Sequence, residues 1–263
     1  MTFSCGHLVG RELQFAHSAQ AAGPAPDPIE IYASAIDASD YAERLSALVK
    51  RVVPTIGDLL DIGAGGGQLG RALRIVGRRW TAIEPNPNMT VRLSRLAGAP
   101  HVIRCGWEAA QIPRKSHDTV LAASIAAPFQ TPAAFLSRCL AWTRRTVVWI
   151  VPAHRGPRGL VFAGCLPPKW HCEDETPGVE IVLGKLPANH QPRVVATAEW
   201  TFAGVFADLE RLADYLADRL GWAPPDSRRH EMSAHLLSRA KPHPAGHRLE
   251  IPRRSAVLVW GEL

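Results

Sequence analysis

A run of glycines flanked by two acidic residues is the pattern in this chain best suited to chemistry. Asp61 is followed at residues 63–67 by Gly-Ala-Gly-Gly-Gly, and Glu84 comes after the next apolar run. Glycines let the backbone turn with positive φ and let a ligand approach without meeting a Cβ atom. An acid at the end of a neighbouring strand can bind the hydroxyls of a ribose. The pattern therefore predicts a nucleotide-type binding site.

Two strands and a helix are needed to position these residues. The apolar run at 58–62 predicts a buried strand that leads directly into the glycines. A helix is predicted from about Gln68 to a stop at Gly77, with its free N–H groups pointing back at the turn. Residues 80–84 predict a second strand that ends on Glu84. This unit is typical of one half of a doubly wound α/β fold, in which ligands bind at the carboxyl ends of the strands.

The spacing of the glycines bears on which nucleotide binds. A dinucleotide fingerprint G-x-G-x-x-G that starts at Gly63 would need glycine at position 68, where the chain has Gln68. The register Gly65, Gly67, Gly70 does fit, but it begins two residues past the strand. A dinucleotide enzyme therefore stays open as an alternative, and so does a turn that only packs the helix on the strand.

Two motifs carry a resemblance to a known family. Residues 60–67 resemble the first motif of class I S-adenosylmethionine-dependent methyltransferases, and residues 82–89, with an acid followed by Pro-x-x-x-Met, resemble the second. The resemblance continues through residues 117–121 and covers residues 55–152, roughly. It implies S-adenosylmethionine as cofactor, held by Asp61 at the methionyl amino end, by the turn at Gly63, Gly65 and Gly67, and by Glu84 at the ribose diol.

The resemblance implies the fold, and the residue patterns along the chain predict the domain boundaries and the individual elements. We expect an α/β, doubly wound, Rossmann-like and mostly parallel sheet, with antiparallel closing strands and inserted helices near the C-terminus. A mobile arm is predicted at residues 1–28 and a methyltransferase domain at 29–263, with substrate-side insertions at 155–192 and 203–247. The expected strands are 101–105, 117–123, 146–151, 193–202, 249–251 and 255–260. The expected helices lie within 29–53, 88–97, 205–220 and 227–240, and one begins at Thr131-Pro132 with the hydroxyl as its N-cap.

Three residues further along the chain are predicted to contact the cofactor. Trp107 and Glu108 follow the third strand, where the family meets the adenine. The resemblance therefore predicts Trp107 on the adenine face, and Glu108 or a backbone group at the adenine amino group. The alternative for Trp107 is a place at the edge of the core. Ser124 leaves the fourth strand over the expected site of methyl transfer. The Asn/Asp-Pro-Pro-Tyr/Phe motif of methyltransferases that act on amino groups of bases is absent there.

For an acceptor that is a hydroxyl or a thiol, a general base is predicted at His154, the histidine that comes directly after the fifth strand. An unperturbed histidine pKa of about 6.5 suits a base at neutral pH. The alternative is a histidine that serves only the loop at the strand end. A metal site is not expected, because the best local cluster, His171, Cys172 and Glu173 near Cys165, matches no zinc spacing.

Composition and charge indicate where the protein is located in the cell and what it binds. The 263 residues are 46% hydrophobic, which is enough for one sizeable core, and the net charge is +6. Without a membrane-length apolar run, a signal pattern or a C-x-x-C pair, we expect a cytoplasmic protein with no membrane contact and with five reduced cysteines. Four arginine pairs are scattered along the chain, at 78–79, 144–145, 228–229 and 253–254.

The sequence thus favours an enzyme that transfers a methyl group from S-adenosylmethionine to a small-molecule acceptor. Two alternatives remain at this stage. The arginine pairs are compatible with a tRNA or rRNA methyltransferase, and the domain could instead bind the cofactor without catalysis and contact a partner protein through its inserted helices.

Overall fold

A computed structural model describes residues 28–125 and 127–262. The arm predicted at residues 1–28 therefore lies outside the described residues, except for Pro28, which begins the first helix. Within the described part, no helix is long and apolar enough to cross a membrane.

Helices and strands alternate through the first half of the chain, as a doubly wound fold requires. The strands are β1 (Leu59–Ile62), β2 (Trp80–Ile83), β3 (His101–Ile103), β4 (His117–Ala123), β5 (Thr143–Pro152), β6 (Val194–Phe206), β7 (Lys241–His243) and β8 (Gly246–Gly261). The helices are α1 (Pro28–Asp37), α2 (Tyr41–Val52), α3 (Gln68–Leu73), α4 (Pro87–Ser94), α5 (Pro132–Trp142), α6 (Pro168–His171), α7 (Gly178–Lys185), α8 (Leu209–Arg219) and α9 (Arg228–Arg239).

The strands form one sheet in the order β3-β2-β1-β4-β5-β8-β6, and β7 pairs with β8. β1 to β5 are parallel, whereas β6, β7 and β8 pair antiparallel. The predicted fold class is confirmed, including the antiparallel closing strands. The chain order reverses between β1 and β4, and that switch point is where ligands bind in open α/β sheets.

A hydrophobic layer covers each face of the sheet. Leu45 of α2 and Leu73 of α3 belong to one layer, and Phe135 of α5 and Trp149 of β5 belong to the other. All four residues of β1 and of β2 are buried. Burial on both faces fixes the position of these strands in the sheet. It therefore also fixes where the residues that follow each strand lie.

The closing strands extend past the central sheet. β5 pairs with β8 only as far as Pro152 opposite Ser255, whereas β6 continues along β8 to Phe206 opposite His247. Residues 199–206 and 246–254 therefore form a two-stranded extension that projects beyond the carboxyl end of β5. We call this ribbon the strand extension. It stands beside the switch point as a wall.

Two sequence expectations about the closing elements were wrong. Residues 205–206, predicted to start a helix, end β6, because β6 keeps pairing with β8 to Phe206. The helix starts later, where Asp208 accepts the backbone N–H of Glu210 as an N-cap. Residues 249–251 and 255–260 belong to one strand, since the edge of β8 opposite β6 has no partner near Pro252, and a proline is tolerated there.

Two expectations about helix ends were also wrong. α3 stops at Leu73 because Arg74 turns to an extended conformation, so Ile75 is exposed rather than helical. Thr131 stands at the N-cap of α5, but its side chain makes no capping hydrogen bond.

Candidate active site

The glycine turn after β1 is shaped for close approach by a ligand. Gly63, Gly65 and Gly67 have φ values of +63°, +55° and +81°, a region that side chains with a Cβ disfavour. A Cβ at Gly63 would lie 2.3 Å from Ile125, whereas a Cβ at Gly65 would meet nothing within 4 Å. Gly63 is thus needed for packing, and Gly65 faces open space.

Glu84 holds this turn in place from the end of β2. Its carboxylate accepts the N–H of Gly65 at 2.8 Å and the N–H of Asn86 at 2.8 Å. The Asn86 side chain in turn caps α4 by accepting two backbone N–H groups. Glu84 is only 6% exposed. Each of its carboxylate oxygens has more than one lone pair, so Glu84 keeps acceptor capacity for ligand hydroxyls.

A cavity of about 160 Å³ lies over the switch point. Five predicted cofactor residues line it: Asp61, Gly63, Gly65, Glu84 and Ser124. Gly67 does not line it, because a Cβ at this position would meet side chains of α4 and of the segment after it. The glycines of the motif therefore have two roles: Gly63 and Gly65 line the cavity, and Gly67 allows close packing.

Asp61 is buried beneath the cavity with its Oδ2 atom unpartnered among the described residues. Burial raises the pKa of Asp61 to about 7; the neighbouring Trp80 indole opposes the rise and the charge of Glu84 adds to it. Gly70 lets α3 approach this carboxyl, since a Cβ there would lie 2.1 Å from Asp61 Oδ2. A ligand ammonium group would supply the positive partner that Asp61 lacks among the described residues.

Helix α1 covers the cavity from the side opposite the glycines. Gln68 donates to Asp37 at 2.5 Å, and Arg92 pairs with both Asp37 and Glu30. These contacts connect α1 to α3 and α4. The residues of α1 that line the cavity are Ile29, Tyr32, Ala33 and Ile36.

Two tyrosines meet Ser124 at the mouth of the cavity. The Tyr41 hydroxyl lies 3.1 Å from Ser124 Oγ, and Tyr32 also lines the cavity. Burial raises the pKa of both phenols, so both stay protonated at neutral pH. Tyr32 and Tyr41 therefore place two neutral hydroxyl groups beside Ser124.

Trp107 and Glu108 lie elsewhere. The Trp107 ring packs edge-on against Phe135, with 4.9 Å between ring centroids. Glu108 is exposed, and neither residue lines the cavity. The physical reason is that β3 ends at Ile103 and the following turn directs Trp107 towards α5. The adenine roles of both residues remain predictions.

A second cavity, of about 120 Å³, adjoins the first and shares Tyr32 and Ser124 with it. We call it the acceptor cavity. Its other walls come from the end of β5, from residues 157–161 and from the strand extension, through Phe129, Pro152, His154, Trp200, Arg253 and Ser255 among others. A wider groove of about 780 Å³ shares His154, Trp200 and Arg253 with it.

His154 stands where the acceptor cavity meets the groove. Its Nδ1 lies 2.9 Å from the carbonyl oxygen of Arg254. Burial lowers the pKa of His154, the Arg254 carbonyl opposes this, and the charge of Arg253 lowers it further. The ring is therefore neutral at neutral pH. The Arg254 backbone nitrogen also lies 3.3 Å from Nδ1, and the shorter contact with the carbonyl oxygen favours the tautomer in which Nδ1–H donates to that oxygen and Nε2 is an acceptor.

Glu173 shapes the acceptor cavity from outside it. Its carboxylate accepts the backbone N–H groups of Arg158, Gly159 and Leu160 at 2.6–3.0 Å. Sequence reasoning had placed Glu173 in a possible metal cluster. Within residues 28–125 and 127–262, no group of three or more histidine, cysteine or acidic side chains could hold a metal ion. Four cysteines in that part of the chain are free thiols.

Sequence reasoning missed three residues of these walls, Arg253, Trp200 and Asn86. Arg253 had been noted only as half of an arginine pair. Trp200 lies within the strand predicted at 193–202, and Asn86 lies within the motif at 82–89. No signal in the sequence marked Arg253 and Trp200 as cavity walls, because both come from the strand extension, whose overhang depends on where β5 stops pairing.

Comparison with known proteins agrees with this geometry. Residues 60–149 match the family described as "Methyltransferase domain". This match identifies the segment from β1 into β5 as a methyltransferase domain. The match covers β1 to β5, and it includes the glycine turn and Glu84. Among curated proteins, no match is found.

Solved structures resemble this chain at low sequence identity. A protein described as a type II methyltransferase from Anaeromyxobacter dehalogenans is 16% identical, with a TM-score of 0.51, covering 82% of this chain and 94% of the other. A methyltransferase-like protein from Bacillus halodurans is 11% identical, with a TM-score of 0.48, covering 81% and 96%. The plantazolicin methyltransferase, in complex with a substrate analogue and S-adenosylhomocysteine, is 13% identical, with a TM-score of 0.45, covering 88% and 84%.

The first cavity fits the cofactor of this family. S-adenosylmethionine supplies an activated methyl group on a sulfonium. The residues present match its polar ends: Glu84 has acceptor capacity for a ribose diol, and the buried Asp61 has an unpartnered oxygen for an ammonium group.

Proposed function

We propose that this methyltransferase acts on a small-molecule nucleophile bound in the acceptor cavity. The observation that carries the proposal is the contact between the two cavities, which share Tyr32 and Ser124. A nucleophile held in the second cavity would face the mouth of the first. The enclosed volume of about 120 Å³ suits part of a small molecule.

Positioning supplies much of the acceleration in this proposal. Methyl transfer from a sulfonium is an in-line displacement, so the protein must mainly align the acceptor atom with the methyl group. Ser124 is held at the shared mouth by Tyr41, in a conformation with φ of +58°. The rigid ends of β4 and β5 provide the platform.

His154 is the candidate base for an acceptor that must lose a proton. Its Nε2 is the acceptor nitrogen of a neutral ring that lines the acceptor cavity. For a hydroxyl or thiol acceptor, Nε2 takes the proton as the bond to the methyl carbon forms. A histidine that serves only the loop would leave turnover unchanged on substitution.

The charge distribution argues against a nucleic-acid surface. Of the eight arginines in the four pairs, six form ion pairs with carboxylates: Arg79, Arg144, Arg145, Arg228, Arg229 and Arg254. Paired arginines contribute little net positive potential to a backbone-binding face.

Labelled-methyl profiling tests the proposal. The protein is incubated with labelled S-adenosylmethionine and either a protein-free metabolite extract or bulk tRNA and rRNA. We expect label in the small-molecule fraction. Label in RNA alone would contradict the proposed substrate class, and no label in either fraction, with S-adenosylhomocysteine still bound, would indicate a binding module.

Calorimetry with S-adenosylhomocysteine checks the cofactor site itself. Glu84→Gln should weaken binding by about tenfold or more, because a charge-assisted acceptor becomes neutral. Glu43→Gln is the matched control, since Glu43 is exposed on α2 and does not line the cavity. Equal affinities in the two variants would contradict the assignment of Glu84.

A further inference from the structure

Arg253 differs from the other arginines of the four pairs. It is largely buried in the wall of the acceptor cavity, and its Nε has no hydrogen-bond partner among the described residues. No ion pair joins it to any carboxylate in the same part of the chain. Its neighbour Arg254, in contrast, pairs with Glu199 at 2.6 Å.

The guanidinium is fixed by aromatic packing instead of by an acid. Its central carbon lies 4.0 Å from the ring centroid of Phe202 and 5.6 Å from that of Trp200. Trp200 is itself fixed, because its indole N–H donates to Ser255 at 3.0 Å. Stacking on aromatic faces orients the planar fork of an arginine and leaves its N–H edge available.

An unpaired cation in this position costs free energy. Burial disfavours the charged form and lowers the pKa of Arg253. An arginine nevertheless stays protonated, so the charge persists inside the wall. A buried charge without a partner is retained where a ligand supplies the partner.

We propose that Arg253 binds an anionic oxygen group, a carboxylate or a phosphate, of the methyl acceptor. The inference rests on the proposed function, and it names the substrate class. The fork of an arginine matches the two oxygens of either group. Arg253 lines both the acceptor cavity and the groove, so an acceptor anchored there would extend towards the mouth at Ser124.

The carboxylate of the cofactor is a poorer partner for this side chain. Arg253 is absent from the lining of the cofactor cavity, which Asp61, Glu84 and the glycines form. Tyr32 and Ser124 lie between the two spaces, because they line both. Loss of Arg253 should therefore leave cofactor affinity unchanged.

Three probes of similar size test the proposal: benzoate, phenyl phosphate and benzyl alcohol. Binding of each to the protein saturated with S-adenosylhomocysteine is measured by ligand-observed NMR. We expect at least one anionic probe to bind wild type about tenfold or more tightly than benzyl alcohol, as a charge-assisted contact would give. The better anion identifies carboxylate or phosphate as the group. Equal binding of all three would overturn the proposal without any variant.

Arg253→Gln should remove the preference for the anion and leave the affinity for benzyl alcohol unchanged. Arg193→Gln is the matched control, because Arg193 is exposed at the far end of β6 and β8, where it donates to the Gly261 carbonyl. An anion preference that survives Arg253→Gln, or that Arg193→Gln removes equally, would overturn the proposal.

Cofactor binding separates this inference from the proposed function. Calorimetry with S-adenosylhomocysteine should give affinities within about threefold for wild type and Arg253→Gln, which also shows that the variant is folded. If wild type binds S-adenosylhomocysteine and transfers label to a neutral small molecule, the proposed function stands and the anionic substrate class is wrong.

Discussion

Replacing Asp61 by asparagine should stabilise the free protein and weaken its cofactor binding at the same time. Asp61 is 3% exposed, and burial raises its pKa from 3.8 to about 7, with the Trp80 indole opposing the rise and Glu84 adding to it. Above neutral pH the folded protein must therefore hold a carboxylate in a poorly solvated place. Asparagine has nearly the same shape and carries no charge.

The size of the stability effect follows from the two pKa values. A folded pKa about three units above the unfolded value corresponds to about 4 kcal/mol, as an upper figure. Because the folded pKa is the higher one, this contribution is fully present below about pH 4 and is lost as pH rises through about 7. Asp61→Asn should thus match wild type near pH 4 and exceed its unfolding free energy above pH 7.

The cofactor should reverse this preference. A ligand ammonium pairs with the carboxylate and not with the protonated acid, so wild-type affinity for S-adenosylhomocysteine should rise with pH and level off above about 7. In Asp61→Asn, affinity should be about tenfold or more lower on that plateau, with no step near pH 7. Urea unfolding without cofactor and calorimetry with it, each across this pH range, measure the two effects.

Asp118→Asn is a control of opposite sign. A hydrogen bond from Arg144 holds the pKa of Asp118 below its usual value. Asp118 therefore contributes stability at neutral pH that is lost as pH falls, and Asp118→Asn should destabilise the protein at pH values where Asp61→Asn stabilises it. A lower unfolding free energy for Asp61→Asn than for wild type at about pH 8 would refute the reasoning.

Three further substitutions test the site. Gly70→Ala should lower the unfolding free energy, measured by urea unfolding, by about 1–3 kcal/mol, because its Cβ would lie 2.1 Å from Asp61. Gly184→Ala in α7 is the control: a Cβ there meets nothing within 4 Å, so the change should be neutral or stabilising by up to about 1 kcal/mol. Gly65→Ala should cost about 1–2 kcal/mol of stability from its positive φ, and it should weaken S-adenosylhomocysteine binding, seen by calorimetry, because its Cβ enters the cavity. His154→Gln should lower labelled-methyl turnover by about a hundredfold with unchanged cofactor affinity.

Each of these has a contrary outcome. Equal stability of the Gly70 and Gly184 variants would contradict the close packing beneath the cavity. Unchanged affinity in the Gly65 variant would mean that the cofactor lies away from that glycine. A turnover loss of less than about threefold for His154→Gln would mean that His154 is not the base, and that positioning of the acceptor alone promotes methyl transfer.

The sequence by itself determined the cofactor half of this protein. The glycine turn, its preceding Asp61 and the strand-end Glu84 lie within a short stretch, and their positions follow from local rules of strand, turn and helix. The central strands were predicted for the same reason, since burial on both faces makes them continuous apolar runs. These features needed no contact between distant parts of the chain.

Only the tertiary structure decided the acceptor side. The wall with Trp200 and Arg253 exists because β6 and β8 continue pairing past Pro152, where β5 ends, and no local pattern encodes that overhang. Trp107 illustrates the same limit, because its place after β3 predicts an adenine contact, whereas the edge-on packing of its partly buried ring against Phe135 depends on residues distant in sequence. Long-range strand pairing and side-chain packing, which join residues distant in sequence, fixed which side chains line each cavity.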